Sequence, residues 1–150
     1  MLFRSNYVRD TPWVWIAFET LHFIGLTLLI GVVLLINLKI FGYLPTIPYL
    51  ALDRLLPWAI LGFGLNVVTG MAFYAAAANT QYQNNPAWYW KLAFLMLAGI
   101  STLIFTFDRG WENDSKPAPA MSRALAFGSL FLWVGVMFWG SMLPFIGNAF

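Results

Sequence analysis

Glu19 and His22 are the residues of this chain with the clearest capacity for chemistry. They stand three residues apart in an otherwise apolar run, so on a helix they would share one face within hydrogen-bonding reach. A neutral imidazole can bind heme iron or copper, and a nearby carboxylate can orient the ring or act as a further ligand. The pair predicts a cofactor or metal site with His22 and Glu19 as ligands. The simplest alternative is a structural pairing of the two side chains.

The segment around this pair is too apolar for an ordinary soluble helix. Of the 150 residues, 61% are hydrophobic and 9% are charged, and a helix needs about 20 mostly apolar residues to cross a lipid bilayer. We predict an all-α integral membrane four-helix bundle in one domain, with short loops and both termini on the same side. The helices are expected at about 12–42, 54–78, 86–107 and 122–146 from their apolar runs and from the proline or cap residues at their starts.

The composition excludes several functions. The absence of cysteine removes disulfides, thiolate metal sites and cysteine nucleophiles. The net charge of +2 supplies no basic stripe for phosphates, so no nucleic-acid partner is predicted. A single Glu-x-x-His pair lacks the second pair and further carboxylates of di-iron bundles, and no nucleophile elbow accompanies the histidine. We therefore expect no enzymatic activity from this chain on its own.

Other predicted helices bring candidate site residues to the same half of the membrane. Glu19 and His22 lie roughly 10 and 15 Å beyond the start of the first helix, from the rise per residue. The further cofactor-binding candidates at that depth are Thr69, Gly70, Met71, Lys91 and Met142. Lys91 could pair with Glu19 or extend its ammonium to the membrane surface. The methionines are possible heme ligands, although methionine more often fills a core.

The distribution of basic residues predicts the orientation. Five lie on one side of the predicted membrane and three on the other: Lys39, Arg54, Arg109, Lys116 and Arg123 against Arg4, Arg9 and Lys91. Because cytoplasmic loops carry an excess of lysine and arginine, both termini are expected to face outward. The first apolar run is longer than the apolar part of a signal peptide, so we expect the first helix to remain in the mature protein.

Three stretches of the chain resemble a family of small bacterial membrane proteins of unknown function. They read ETLHFIGLTLLIGVVLLINLKIFG, LPWAILGFGLNVVTGMAFY and NNPAWYWKLAFLMLAG. The positions that recur in the family correspond here to Glu19, His22, Lys39, Thr69, Gly70 and Lys91. The His-x-x-Gly pattern of the first helix is more loosely similar to copper-resistance D-type membrane proteins. The resemblance implies a bacterial inner (plasma) membrane protein, which would place the outward-facing termini in the periplasm.

The sequence leaves three functions open. The leading hypothesis is a heme b electron-transfer subunit that uses His22, because a four-helix bundle with 19% aromatic residues can enclose a porphyrin. The chain has one histidine, so the second heme ligand would be Met71, Met142 or a histidine of another protomer, unless that position is open. The first alternative is a non-catalytic structural or assembly subunit, without a cofactor, in a homo-oligomer or a larger membrane complex. The second is a copper or proton-handling site at Glu19 and His22.

Overall fold

The computed structural model describes residues 11–77, 82–107 and 118–146, with the backbone alone for 105–107. The described residues form helices and no strand, which confirms the predicted all-α class. The helices are α1 (Pro12–Phe41), α2 (Tyr49–Asp53), α3 (Leu56–Ala77), α4 (Pro86–Phe107) and α5 (Ala120–Ile146). The helix expected from residue 54 therefore begins slightly later, because the residues before it form the separate short helix α2.

Four of these helices are long and apolar enough to cross a membrane. The longest, α1, has 30 residues, which gives about 45 Å at the α-helical rise and exceeds a hydrocarbon core of about 30 Å. The other three contain 22, 22 and 27 residues. Their lengths and composition are those of a multi-pass membrane protein whose outer helix faces contact lipid.

Local sequence signals explain where α1 begins and ends. Pro12 occupies the first helical position after an extended Thr11, where a missing N–H leaves no helical acceptor unsatisfied. At the other end Gly42 has φ of +88°, and backbone N–H groups bond back to the carbonyls of Leu38 and Lys39. Glycine is favoured at this left-handed position because a side chain would clash there. The chain can then turn sharply into α2.

The spanning helices pack mainly as two antiparallel pairs. The first pair is α1 with α3, the second is α4 with α5, and α1 also contacts α5. Gly25 and Gly62 lie where α1 crosses α3, and a Cβ on Gly25 would stand 2.8 Å from the Gly62 carbonyl oxygen. Small residues permit such close helix crossings in membranes. The crossing holds the two helices together immediately beside His22.

Contacts between side chains define two ends of the molecule. The Trp15 ring lies 4.8 Å from the Phe73 ring, and Phe73 packs in a cluster with Trp88 and Leu143. The start of α1, the end of α3, the start of α4 and the end of α5 therefore meet at one end, which we call the Trp15 end. The opposite end, where α1 finishes and α2 folds back, is the Lys39 end.

The buried clusters show that α1 leaves the core toward its start. The central cluster contains Leu29 and Val33 of α1 beside Trp133 of α5, and the cluster at the Lys39 end contains Ile40 of α1 beside Ala126 of α5. The cluster at the Trp15 end is formed by α3, α4, α5 and the residues just before α4, with no α1 residue among the described side chains. In its first half α1 is consequently supported mainly by α3.

Candidate functional site

His22 is anchored to α3 by a hydrogen bond across the helix pair. Its Nδ1 atom lies 2.7 Å from the Thr69 hydroxyl oxygen, and the Thr69 side chain is buried. Such a bond holds the imidazole in one orientation, and it links the two helices that cross at Gly25 and Gly62. His22 itself is half-buried, so part of the ring remains accessible from outside the helix pair.

The Thr69 hydroxyl determines which imidazole nitrogen carries the proton. Thr69 Oγ1 is 2.7 Å from the Leu65 carbonyl oxygen of its own helix, and a carbonyl can only accept a hydrogen bond. The single hydroxyl proton is therefore donated to Leu65, and Oγ1 accepts the Nδ1–H of His22. The neutral ring then has its lone pair on Nε2. No described side chain hydrogen-bonds to Nε2, so this atom is available to an external ligand.

Aromatic and glycine residues surround the imidazole. The Phe73 ring meets the His22 ring edge to face, with centroids 5.7 Å apart. Gly70 also lies beside the ring, where a Cβ would stand 4.0 Å from His22 Cε1. Phe73 thus offers an apolar contact, and Gly70 adds no side chain next to Cε1. A flat apolar ligand could approach the ring here.

Glu19 does not take part in this arrangement. It is exposed, and among the described residues it makes neither a hydrogen bond nor an ion pair. The expected Glu19–His22 hydrogen bond is replaced by the bond from His22 to Thr69. Asn37 is 18 residues further along, which is five turns and hence the same side of α1, and its side chain is 2% exposed. The same face of α1 is covered at the Lys39 end and open at the Trp15 end.

Lys91 lies on α4 at the same end of the molecule as His22. Its Cε and Nζ atoms are each 3.5 Å from the position that a Cβ on Gly140 would take. The side chain therefore runs across α5 at a glycine. It makes no ion pair with a described carboxylate, so the expected pairing with Glu19 is not present in the described part of the chain.

The two methionine candidates occupy different environments. Met71 is 68% exposed and points away from the packed faces of α3. Met142 is half-buried and packs against the cluster at the Trp15 end, which also includes Phe73. Met142 and Phe73, which contacts the His22 ring, thus pack against the same cluster, whereas Met71 does not.

Two contributors were not among the residues selected from the sequence. Phe73 forms one wall of the His22 site, and Gly140 leaves the space in which Lys91 lies. Phe73 stands four residues after Thr69, so helical periodicity places both on one face of α3 and could have identified it. Gly140 had no comparable signal, because glycines are frequent throughout these helices and only the packing of α4 on α5 distinguishes this one.

Comparison of the chain with protein-family models, curated proteins and solved structures gives no significant match. In the described part of the chain, no three histidine, cysteine, aspartate or glutamate residues come together as a metal-binding group.

Proposed function

We propose that this chain is a heme-binding subunit of a bacterial inner membrane, with His22 Nε2 as an axial ligand of heme b and electron transfer as its role. The observation that carries the proposal is the hydrogen-bond chain from His22 through Thr69 to the Leu65 carbonyl. Histidines that bind metals commonly donate their other ring N–H to a nearby acceptor, which fixes the tautomer and increases the basicity of the ligating nitrogen. His22 already has this arrangement.

The surroundings of His22 fit a planar cofactor. Phe73 offers an apolar wall, and Gly70 has no side chain beside the imidazole. Heme would supply reversible one-electron chemistry when bound. The protein would present the Nε2 atom of His22 to the iron, hold the orientation of the imidazole through Thr69 and limit the access of water.

Met142 is the proposed second axial ligand. It packs against the same cluster as Phe73, whereas Met71 faces outward with 68% of its surface exposed. A thioether ligand together with an imidazole ligand would raise the reduction potential of heme iron relative to two imidazoles. We accordingly expect Met142→Leu, rather than Met71→Leu, to lower the midpoint potential or to open the sixth position.

The membrane arrangement that goes with this function is a four-helix bundle with periplasmic termini. The excess of basic residues that the sequence predicts on the side opposite the termini, five against three, supports the orientation. It puts His22 in the outer half of the bilayer, about 15 Å along α1 from its start. Electrons would be exchanged with a partner on the periplasmic side or within the membrane.

The deciding experiment is a visible absorption spectrum of the purified full-length protein, oxidised and then reduced with dithionite. Bound heme gives a Soret band and sharp α-bands in the reduced form, and we expect both to disappear in His22→Ala. Thr69→Val removes the acceptor for Nδ1–H and should weaken heme binding about 10-fold to 100-fold, the usual effect of losing such a supporting partner. Thr69→Ser keeps the hydroxyl and serves as the matched control.

A protein that stays colourless after expression with added heme precursor and after titration with hemin would refute the proposal. So would a spectrum that His22→Ala leaves unchanged. If Thr69→Val and Thr69→Ser weaken binding equally, heme is bound but the hydrogen bond is not what supports His22.

The second candidate function is that of an assembly subunit, and the exposure of Glu19 favours it. An ionisable group that faces lipid is costly, and no described residue of this chain pairs with Glu19. A partner protein covering the open side of α1 would remove the carboxylate from lipid. Stoichiometric co-purification of a partner with wild type and with His22→Ala, and its loss with Glu19→Gln, would support this function. A wild-type protein that purifies alone from mild detergent would exclude it.

A further inference from the structure

Lys91 lies in the membrane-spanning helix α4, and no described residue serves as a counterion for its ammonium. It stands five residues after Pro86, about 7.5 Å along α4, and is only half-buried. An ammonium at this depth is unfavourable unless an anion or water stabilises it. No described side chain supplies that anion, because Glu19 is exposed and pairs with nothing described.

The lysine is also held away from the shortest route to water. Its Cδ, Cε and Nζ atoms lie 3.5–3.8 Å from the Cβ position of Gly140. Gly140 is six residues before the end of α5, about 9 Å along that helix, so the side chain runs sideways rather than toward the membrane surface. A lysine that does not pair with Glu19 is expected to extend outward, whereas Gly140 leaves a space beside α5 in which the Lys91 side chain lies.

Lys91 and His22 lie around the same aromatic cluster at the Trp15 end. The His22 ring contacts Phe73, Phe73 and Trp139 both pack against that cluster, and Trp139 is the chain neighbour of Gly140, beside which Lys91 lies. Trp90 and Trp139, the chain neighbours of Lys91 and Gly140, stack with ring centroids 5.9 Å apart. A ligand in contact with His22 could therefore place an anionic group against Lys91 while its apolar body lies among aromatic rings.

We propose that Lys91 binds a carboxylate of the His22 ligand and thereby sets the orientation of that ligand in the membrane. The inference rests on the proposed function, in which the ligand is heme b, whose two propionates are its only anionic groups. One propionate would pair with the Lys91 ammonium. Charge-assisted hydrogen bonds of this kind are short and strong when water is scarce.

The test compares heme b with its dimethyl ester, in which both propionates are neutral, on purified full-length protein without cofactor. Affinities are measured by titration of the Soret band. We expect wild type to bind heme b about tenfold more tightly than the ester, or better, the usual scale for a hydrogen bond to a charged group. Lys91→Met should reduce the affinity for heme b and leave that for the ester unchanged. Lys91→Arg should keep the preference, and Arg123→Met, which removes an exposed cation at the Lys39 end, should behave as wild type.

Two results would overturn the inference while leaving heme at His22. One is equal affinity of wild type for the two ligands, and the other is an equal loss of both affinities in Lys91→Met. The comparison on wild type needs no variant, so a folding defect of Lys91→Met cannot obscure it. If neither ligand binds, or if binding survives His22→Ala, the proposed function fails and this inference fails with it.

Discussion

A methyl group added at Gly25 should separate α1 from α3. The new Cβ would lie 2.6 Å from Asn66 Nδ2 and 2.8 Å from the Gly62 carbonyl oxygen. Ordinary van der Waals contact begins near 3.4 Å, so the backbones must move apart by about 0.6 Å, and a carbonyl in a tightly packed crossing cannot rotate away. Overpacking of this kind costs about 1–3 kcal/mol. We expect Gly25→Ala to lose stability within that range.

Gly31→Ala is the matched control on the same helix. Nothing lies within 4 Å of a Cβ at Gly31, and alanine is a better helix former than glycine by up to about 1 kcal/mol. The two variants should therefore change stability in opposite directions. Reversible unfolding in mixed micelles of dodecyl maltoside and SDS, followed by tryptophan fluorescence, measures the difference. Equal stabilities of Gly25→Ala and Gly31→Ala would refute the argument that the glycine contact sets the distance between α1 and α3.

Further predictions concern the polar groups at the ends and in the core. Asn85→Ala removes both the cap of α4 and the hydrogen bond to the Leu143 carbonyl. It should lower the free energy of unfolding by about 1–3 kcal/mol. The control Asn84→Ala changes an exposed side chain and should have almost no effect. Burial raises the pKa of the Tyr82 phenol. Above about pH 10 the unfolded chain therefore loses this proton more readily than the folded protein, and the free energy of unfolding should fall as the pH rises. Tyr82→Phe should lack that part of the decline in denaturation curves. The buried Oδ1 atom of Asn37 has no hydrogen-bond partner among the described residues, although its Nδ2 donates to the Val33 carbonyl. Asn37→Leu should therefore leave the free energy of unfolding unchanged or raise it. A loss above about 2 kcal/mol would contradict this prediction and indicate a partner for Oδ1.

The glycine crossing and the His22 site are mechanically connected. His22 is three residues before Gly25 on α1, nearly one turn, and Thr69 is seven residues after Gly62 on α3, about two turns. The close approach of the backbones is what lets a short hydroxyl reach the imidazole over 2.7 Å. A variant that separates the helices at Gly25 should therefore weaken ligand binding at His22 as well as stability.

The open side of α1 is the other functional feature of the fold. Glu19 lies on it, and the cluster at the Trp15 end contains no described α1 residue. In the heme proposal this opening is the route by which a cofactor or an electron-transfer partner could reach His22. In the assembly proposal it is the surface that a partner covers. Glu19→Gln separates these readings, because it should leave a heme spectrum unchanged and disrupt a protein–protein contact.

The sequence by itself determined the helices of this protein. Apolar runs longer than about 20 residues leave few alternatives in a lipid solvent, and local signals such as Pro12 and Gly42 placed the ends of α1. His22 and Thr69 could be selected as candidates from residue type and approximate depth. These features depend on composition and on interactions within a few residues, which a sequence displays directly.

Only the tertiary structure decided how the candidate residues are paired. From spacing alone His22 belonged with Glu19, since residues three apart share a helix face. The crossing at Gly25 and Gly62 instead brings Thr69 to the imidazole, and Glu19 is left exposed. Partners on different helices depend on the distance and angle between those helices. That geometry arises from the packing of all the helices together, so it cannot be read from the spacing within one of them.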